Sequence, residues 1–278
     1  VQEHQRRRVV RRKTGRCRRC RKRTTARSLP APFPRPKATC DWLAWLVVQK
    51  YVQLLPLDRI RDLLKLQGLG LAMSYLVTQV QRVADLLAPI DRVHWQQLLA
   101  GSWMAHDATH LNVLVPDVPG THNGHIEVFQ RDGTVVFQYE HDKAGATLAS
   151  KLKPFRGTLV VDAEHRHNAS FTDGTITEAG CNAHGERKLE AAEKTRPRLG
   201  AEGRAFIQAV YIEEAKAREQ DLTGEALKAW RQERIAPHFE RFKQWRGAVL
   251  PTLIPDEPLA QALRYYENHG DALTRFVS

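Results

Sequence analysis

Cysteine is scarce in this chain, with four residues in 278. That is too few for a secreted disulfide framework. No apolar run is long enough to span a bilayer, and no signal-peptide core is present, so a reducing cytoplasm is the expected compartment. Acidic residues are almost missing from positions 1–39, where Glu3 stands alone against 15 Lys and Arg, a surplus of +14. The other 239 residues carry 28 basic and 30 acidic side chains, or −2. The formal charge of +12 therefore belongs to one arm. Such an arm has no core of its own and points to a polyanion, nucleic acid ahead of an acidic membrane surface. Val1 in place of Met predicts that the gene product begins earlier.

What is present divides the chain into four zones: a basic arm over 1–39, a helical DNA-binding or connecting region over 40–100, a sheet-forming region over 101–182 and a helical region over 183–278. The arm ends in a proline-rich stretch, Leu29 to Pro36, whose composition favours an extended linker. In the second zone, Leu43, Leu46, Val47, Tyr51 and Leu54 share a helical face that Pro56 should end. A shorter helix with Ile60, Leu63 and Leu64 should stop at Gly68-Leu69-Gly70. A third, capped by Ser74, should carry Leu76, Val80, Val83 and Leu87 to about Pro89. The trio fits a helix-turn-helix or a plain small bundle.

From Ser102 the apolar period becomes two. Strands are expected at 103–107, 111–115, 125–129, 135–139, 158–161 and 176–179, punctuated by Pro116, Gly120, Gly124 and Asp132-Gly133, with a helix over about 144–152. Neighbouring strands followed by helix-strand alternation predict an α/β fold with antiparallel and crossover parts. After Cys181 helices are expected at 183–194 and 203–219. A longer imperfect helix with Trp230, Phe239 and Trp245 should be interrupted at Pro237, and a last amphipathic piece carries Leu259, Leu263, Tyr266 and Leu273.

Two aspartates stand at the expected ends of apolar strands, Asp107 after Trp103-Met104-Ala105-His106 and Asp162 after Thr158-Leu159-Val160-Val161. Brought together, two carboxylates repel unless a cation lies between them, and oxygen-only ligands favour Mg²⁺ or Mn²⁺. Either Asp could instead cap a following turn. His106, His110, His165 and His167 flank the pair, so a His-Asp metallohydrolase with Zn²⁺ or Fe is a second arrangement of the same positions. Cys17-Arg18-Arg19-Cys20 has the spacing of one zinc knuckle and needs two more ligands, for which Cys40 and His4 are candidates. Cys181-Asn182-Ala183-His184 offers a Cys-His nucleophile, but the spacing does not assure a held base. His184 beside Arg187 and Lys188 suits phosphate contact better.

The run Ala38-Thr39-Cys40-Asp41-Trp42-Leu43-Ala44 through Lys50-Tyr51, with Leu55-Pro56-Leu57-Asp58-Arg59 and Gly68, resembles the helical segment of the insertion-sequence-66 family of bacterial DDE transposases. The resemblance continues through His106-Asp107-Ala108-Thr109, Val161-Asp162-Ala163, Cys181-Asn182-Ala183-His184, Tyr211 with Glu214, Arg231-Gln232-Glu233-Arg234 and Ala272-Leu273-Thr274-Arg275-Phe276. It implies a ribonuclease-H-like mixed sheet with a helical insertion, in which Asp107 and Asp162 are catalytic ligands of Mg²⁺ or Mn²⁺. The two acids should lie on neighbouring strands, the first and the fourth. It also implies Cys17 and Cys20 as half of a zinc module, with Arg16, Arg18, Arg19, Arg21, Lys22, Arg23 and Lys188 near DNA, and His184 and Arg187 near DNA or the active site. The expected partners are DNA at transposon ends and target, with a second copy of the chain as a further candidate and no membrane.

The sequence also departs from the family pattern. The third acid is expected beyond the segment matching Arg275-Phe276-Val277, and the chain stops at Ser278, so that glutamate is expected to be absent, with Glu214 an internal candidate. Gly185-Glu186 stands where the family commonly has a small residue and then Arg, and Ala163-Glu164 replaces a frequent Gly-Tyr. The expectation is a transposase fragment that binds DNA and cleaves it poorly; the alternative is a nucleic-acid-binding remnant without catalysis.

Overall fold

The computed structural model describes residues 5, 9–27, 31–33, 38–115 and 119–278. Most of the proline-rich stretch, His4 and Pro116 fall outside these residues. The chain forms two compact units, Val1–Arg92 and Val93–Ser278.

In the first unit, β1 (Thr14–Arg16) and β2 (Arg23–Thr25) pair antiparallel. Their connection holds Cys17 and Cys20 and is closed by Cys17 N–H to the Lys22 carbonyl at 2.9 Å and Arg21 N–H to the Cys17 carbonyl at 2.9 Å. Helix α1 (Cys40–Tyr51) starts where the Thr39 hydroxyl accepts the Trp42 amide at 3.3 Å, with Asp41 in its first turn and Lys50 in its last, both favourable to the helix dipole. It ends before Pro56, because the chain reverses at Leu54, whose φ is 56°. Helix α2 (Leu57–Leu66) follows directly after Pro56. Leu46, Ile60, Leu64 and Leu76 form the unit's core, edged by Trp42, Trp45 and Tyr75.

Helix α3 (Met73–Leu99) departs from the expectation at both ends. Ser74 lies inside it, its carbonyl accepting the Thr78 hydroxyl at 2.7 Å. At the other end the helix runs through Pro89. Proline removes one backbone hydrogen bond, which a helix of 27 residues can lose without ending there.

The second unit is built on five strands: β3 (Trp103–Val113), β4 (His122–Arg131), β5 (Thr134–Glu140), β6 (Gly157–Val161) and β7 (Ile176–Gly180), in the order β5-β4-β3-β6-β7. The β4–β5 turn is Asp132-Gly133, with φ of 49° and 82°, the two-residue geometry whose twist suits a hairpin. β3 pairs antiparallel with β4 and parallel with β6, and β6 pairs parallel with β7. Two strands were expected where β3 is continuous. Its middle, His106-Asp107-Ala108-Thr109-His110, has no apolar alternation, yet every residue from Ala105 to Val113 is paired to β4. The ladder holds what the side chains do not advertise.

Helix α4 (Gly145–Leu152) crosses from β5 to β6 and packs Leu148 and Leu152 against Met104, Phe129, Val136 and Leu159. A 3₁₀ turn over His165–Ser170 links β6 to β7. After β7 come α5 (Asn182–Ala192), α6 (Pro197–Glu219), α7 (Gly224–Trp230), α8 (Ala236–Val249), α9 (Pro258–Asn268) and α10 (Gly270–Thr274), around a second core that includes Leu189, Ile207, Ile235, Phe242, Leu263 and Tyr266. The long helix expected to break at Pro237 instead widens into a π turn at Arg231–Ile235. Pro237 sits in the first turn of α8, where a missing N–H costs little.

Candidate metal centre

β3 leaves the parallel ladder after Ala105, which pairs with Val160, and runs on beside β4 alone. Asp107 follows two residues later. β6 ends at Val161, so Asp162 emerges at the same level on the neighbouring strand. β7 runs parallel to β6 and passes through Cys181, whose amide donates to the Val161 carbonyl at 2.8 Å, into α5. That junction brings His184, in the first turn of α5, to the acid pair. One ligand atom from each of Asp107, Asp162 and His184 lies within 4.8 Å of the others. This is the single such group of three among the described residues.

Each side chain is held from one side. Asp107 Oδ1 accepts the Ala108 amide at 2.8 Å, while Oδ2 faces His184 Nε2 at 3.9 Å. Asp162 Oδ1 accepts the Glu164 amide at 3.3 Å and lies 3.5 Å from His167 Nδ1. His184 Nδ1 is buried without a hydrogen-bond partner. The positive end of the α5 dipole adds to the attraction for anions. Two hard oxygens and one imidazole nitrogen are a donor set that could hold a divalent cation.

Behind the acids the sheet face beneath α4 is polar and closed. Glu127, His106, Arg166 and His167 are all buried there. Arg166 Nη2 is 3.0 Å from Glu127 Oε1, and Lys151 pairs with both Glu127 and Glu140. Burial, reinforced by His167, Arg166 and Lys151, pushes the His106 imidazole down to about 2. Burial lowers His167 as well, against the opposing pull of Asp162. Glu164 lies below the usual carboxylate range although burial opposes this, because Lys143, bonded at 2.7 Å, and Arg166 outweigh it.

The remaining candidates are dispersed. Of the four histidines first weighed as ligands, His106 and His167 bond each other at 3.0 Å, and His110 packs on His125 with ring centroids 5.5 Å apart. His165 begins the 3₁₀ turn, and none of the four joins the group of three. Glu214 does not join it either; both its oxygens bind Arg231, at 2.6 and 3.0 Å. Cys181 serves as the N-cap residue of α5. Arg187 is exposed on α5, and Lys188 lies 5.2 Å over the Tyr265 ring. Arg16, Arg18, Arg19, Arg21, Lys22 and Arg23 are all exposed on or around the β1–β2 hairpin. The amide of Cys20 facing the Cys17 sulfur, helped by the Cys20 thiol and the Arg19 amide, holds the Cys17 thiol below its ordinary value. Sequence reasoning left His184 near DNA or the active site, and the structure sets it beside the acids; it missed Glu127 and Arg166. An acid alternating with His125 and Phe129 along β4 was the available signal for Glu127.

No curated protein matches the chain. A family model described as "Transposase IS66 family" matches residues 36–278. The match spans the helical region, the sheet that carries Asp107 and Asp162, and the helices that follow, so the chain belongs to the IS66 family of transposases.

Proposed function

We propose that the chain acts in DNA transposition as a DDE-type enzyme, and that its metal-dependent centre is Asp107 with Asp162. The observation that carries this reading is the convergence of two acids from neighbouring strands with His184 inside 4.8 Å. The sheet order β5-β4-β3-β6-β7, with the acids on the central pair, supports a ribonuclease-H-like core. Asp107 and Asp162 would hold Mg²⁺ or Mn²⁺ with His184 beside them, and the ion supplies activation of water or a 3′-hydroxyl and neutralisation of the leaving oxygen in phosphodiester exchange.

The protein's own contribution is to hold a polyanion against its acids. Arg16, Arg18, Arg19, Arg21, Lys22 and Arg23 offer phosphate contacts from the arm, and Arg187 and Lys188 offer them from α5. Cys17 and Cys20 supply two thiols for Zn²⁺, to be completed by two further donors. A DNA substrate fits the bacterial cytoplasm that the resemblance implies, and two copies would pair the two transposon ends. Among the described residues no helix is long and apolar enough to cross a membrane.

The test is nicking of a plasmid carrying the transposon ends with Mg²⁺ or Mn²⁺ supplied. Nicking is expected to be slow, because among the described residues two carboxylates reach the group of three. Asp107→Ala or Asp162→Ala should abolish it. Nicking that survives either substitution overturns the reading. The +14 arm favours a second reading, a nucleic-acid binder whose sheet is scaffold. In that case both substitutions leave every measurable property unchanged, and removal of the arm abolishes binding.

A further inference from the structure

We infer that the buried line Glu127–Arg166–His106–His167 is a one-directional hydrogen-bond relay that positions the Asp162 carboxylate, so that His106 and His167 act as positioning residues for that ligand. The inference rests on the reading of Asp162 as a metal ligand. Its direction follows from which atoms can donate and which can only accept.

At one end, His167 Nδ1 lies 3.1 Å from the Glu164 carbonyl oxygen, which can only accept. His167 must therefore carry its proton on Nδ1, leaving Nε2 as an acceptor. His106 Nδ1, 3.0 Å away, must donate to it, so His106 Nε2 is also an acceptor. The other end gives the same answer independently. His106 Nε2 lies 3.1 Å from Arg166 Nη2, and a guanidinium can only donate. Both ends require two neutral imidazoles, each protonated on Nδ1, with the N–H groups running from Arg166 through His106 to His167, whose Nδ1–H is given to the Glu164 carbonyl and lies 3.5 Å from Asp162 Oδ1.

Three elements fix this line. His106 is on β3, one residue before Asp107 and on the opposite face; Glu127 is on β4; Arg166 and His167 are on the 3₁₀ turn that follows Asp162. The relative exposures run from 2% for Glu127 and His167 to 8% for Arg166. Water is thus excluded, and aligned bonds in such surroundings polarise one another. Glu127, shared by Arg166 and Lys151, balances the charge at the start of the relay. At its end Asp162 Oδ1 is flanked by the Glu164 amide and by His167 Nδ1, so that the carboxylate's rotation is set from behind. Outer groups of this kind typically change metal affinity by roughly 10–100-fold when removed.

The experiment has two readouts on the full chain. Two-bond ¹⁵N–¹H correlation spectra of the metal-free protein assign each imidazole's tautomer; Nδ1–H is expected for both His106 and His167, and Nε2–H at either overturns the relay. Calorimetric titration with Mn²⁺ alone reads its consequence. His167→Phe should weaken Mn²⁺ binding by about 10-fold or more. His167→Asn, whose amide can donate where Nδ1 did, should restore affinity to within about 3-fold of the parent, an outcome that loss of packing would not give. His106→Phe should weaken binding less than His167→Phe while leaving Asp162's own contacts in place. Unchanged affinity in His167→Phe overturns the positioning role alone. Mn²⁺ binding that is absent, or indifferent to Asp162→Ala, overturns the metal reading and the positioning role with it, while the tautomers still report the direction of the bonds. If His167→Phe does not fold, the tautomers and His167→Asn decide.

Discussion

His106 shows at the scale of one residue what a closed polar face costs. Its folded-state value of about 2 stands against 6.5 for the free side chain. Between these values the unfolded chain binds a proton that the folded chain refuses, so stability is full above about pH 6.5 and falls as the pH drops below it. At pH 5 this one group should remove about 2 kcal/mol relative to pH 8. Urea unfolding at the two pH values measures the difference, and His106→Phe should flatten the dependence. A cation at the acid pair would oppose protonation further, so the sign holds with metal present. Gly185 makes a steric prediction on the other side of the acids. A Cβ there would lie 2.3 Å from the Tyr266 hydroxyl, which is buried and without a partner. Gly185→Ala should therefore cost about 1–3 kcal/mol, read from a thermal melt. The family resemblance already expects a small residue at this position, Glu186 being the departure; the packing of α5 on α9 supplies the physical reason.

Among elements, the π turn at Arg231–Ile235 joins three runs that lie far apart in sequence. Arg231 grips both oxygens of Glu214 on α6, donates to the Phe276 carbonyl at 3.0 Å and sits 5.3 Å over the Phe276 ring. All three runs were recognisable family signatures, yet nothing in their spacing said that they meet. Arg231→Met should lose about 1–2 kcal/mol by leaving Glu214 unpaired, and Glu214→Gln should recover part of that loss in the double variant, a coupling measurable by denaturant unfolding. The elements legible in the sequence were those whose period was clean. α1, α2, β5, β6 and the Asp132-Gly133 hairpin fall within a few residues of their expected places. β3 was read as two strands, because its inward side chains turn from Met104 to histidine and no alternation in hydrophobicity remained to follow. The same polar substitution hid the relay, since a buried face normally announces itself by being apolar. The acid pair was legible for the opposite reason, each Asp interrupting a clear apolar run.

For the whole molecule the division of charge is the dominant fact. Among the described residues the three apolar cores draw on none before Trp42, so the arm is expected to be removable without opening them. Deleting residues 1–39 should lower stability by no more than the loss of the Thr39 cap on α1, about 1 kcal/mol. It should also remove the steep part of the salt dependence of DNA binding. With the arm present and about 6–10 phosphates neutralised, affinity should fall by roughly 10³–10⁵ between 50 and 200 mM salt. Without it the fall should be much shallower, as fluorescence anisotropy on labelled duplex would show.

The branching of β3 gives the centre a mechanical property. Ala105 is its last residue paired to β6, and Asp107 is carried onward only by the hairpin of β4 and β5, whereas Asp162 is tied to the parallel ladder. The two carboxylates are therefore supported by different ladders, Asp107 by the hairpin and Asp162 by the parallel strands, and the buried His106–His167 and Glu127–Arg166 contacts clamp one support to the other.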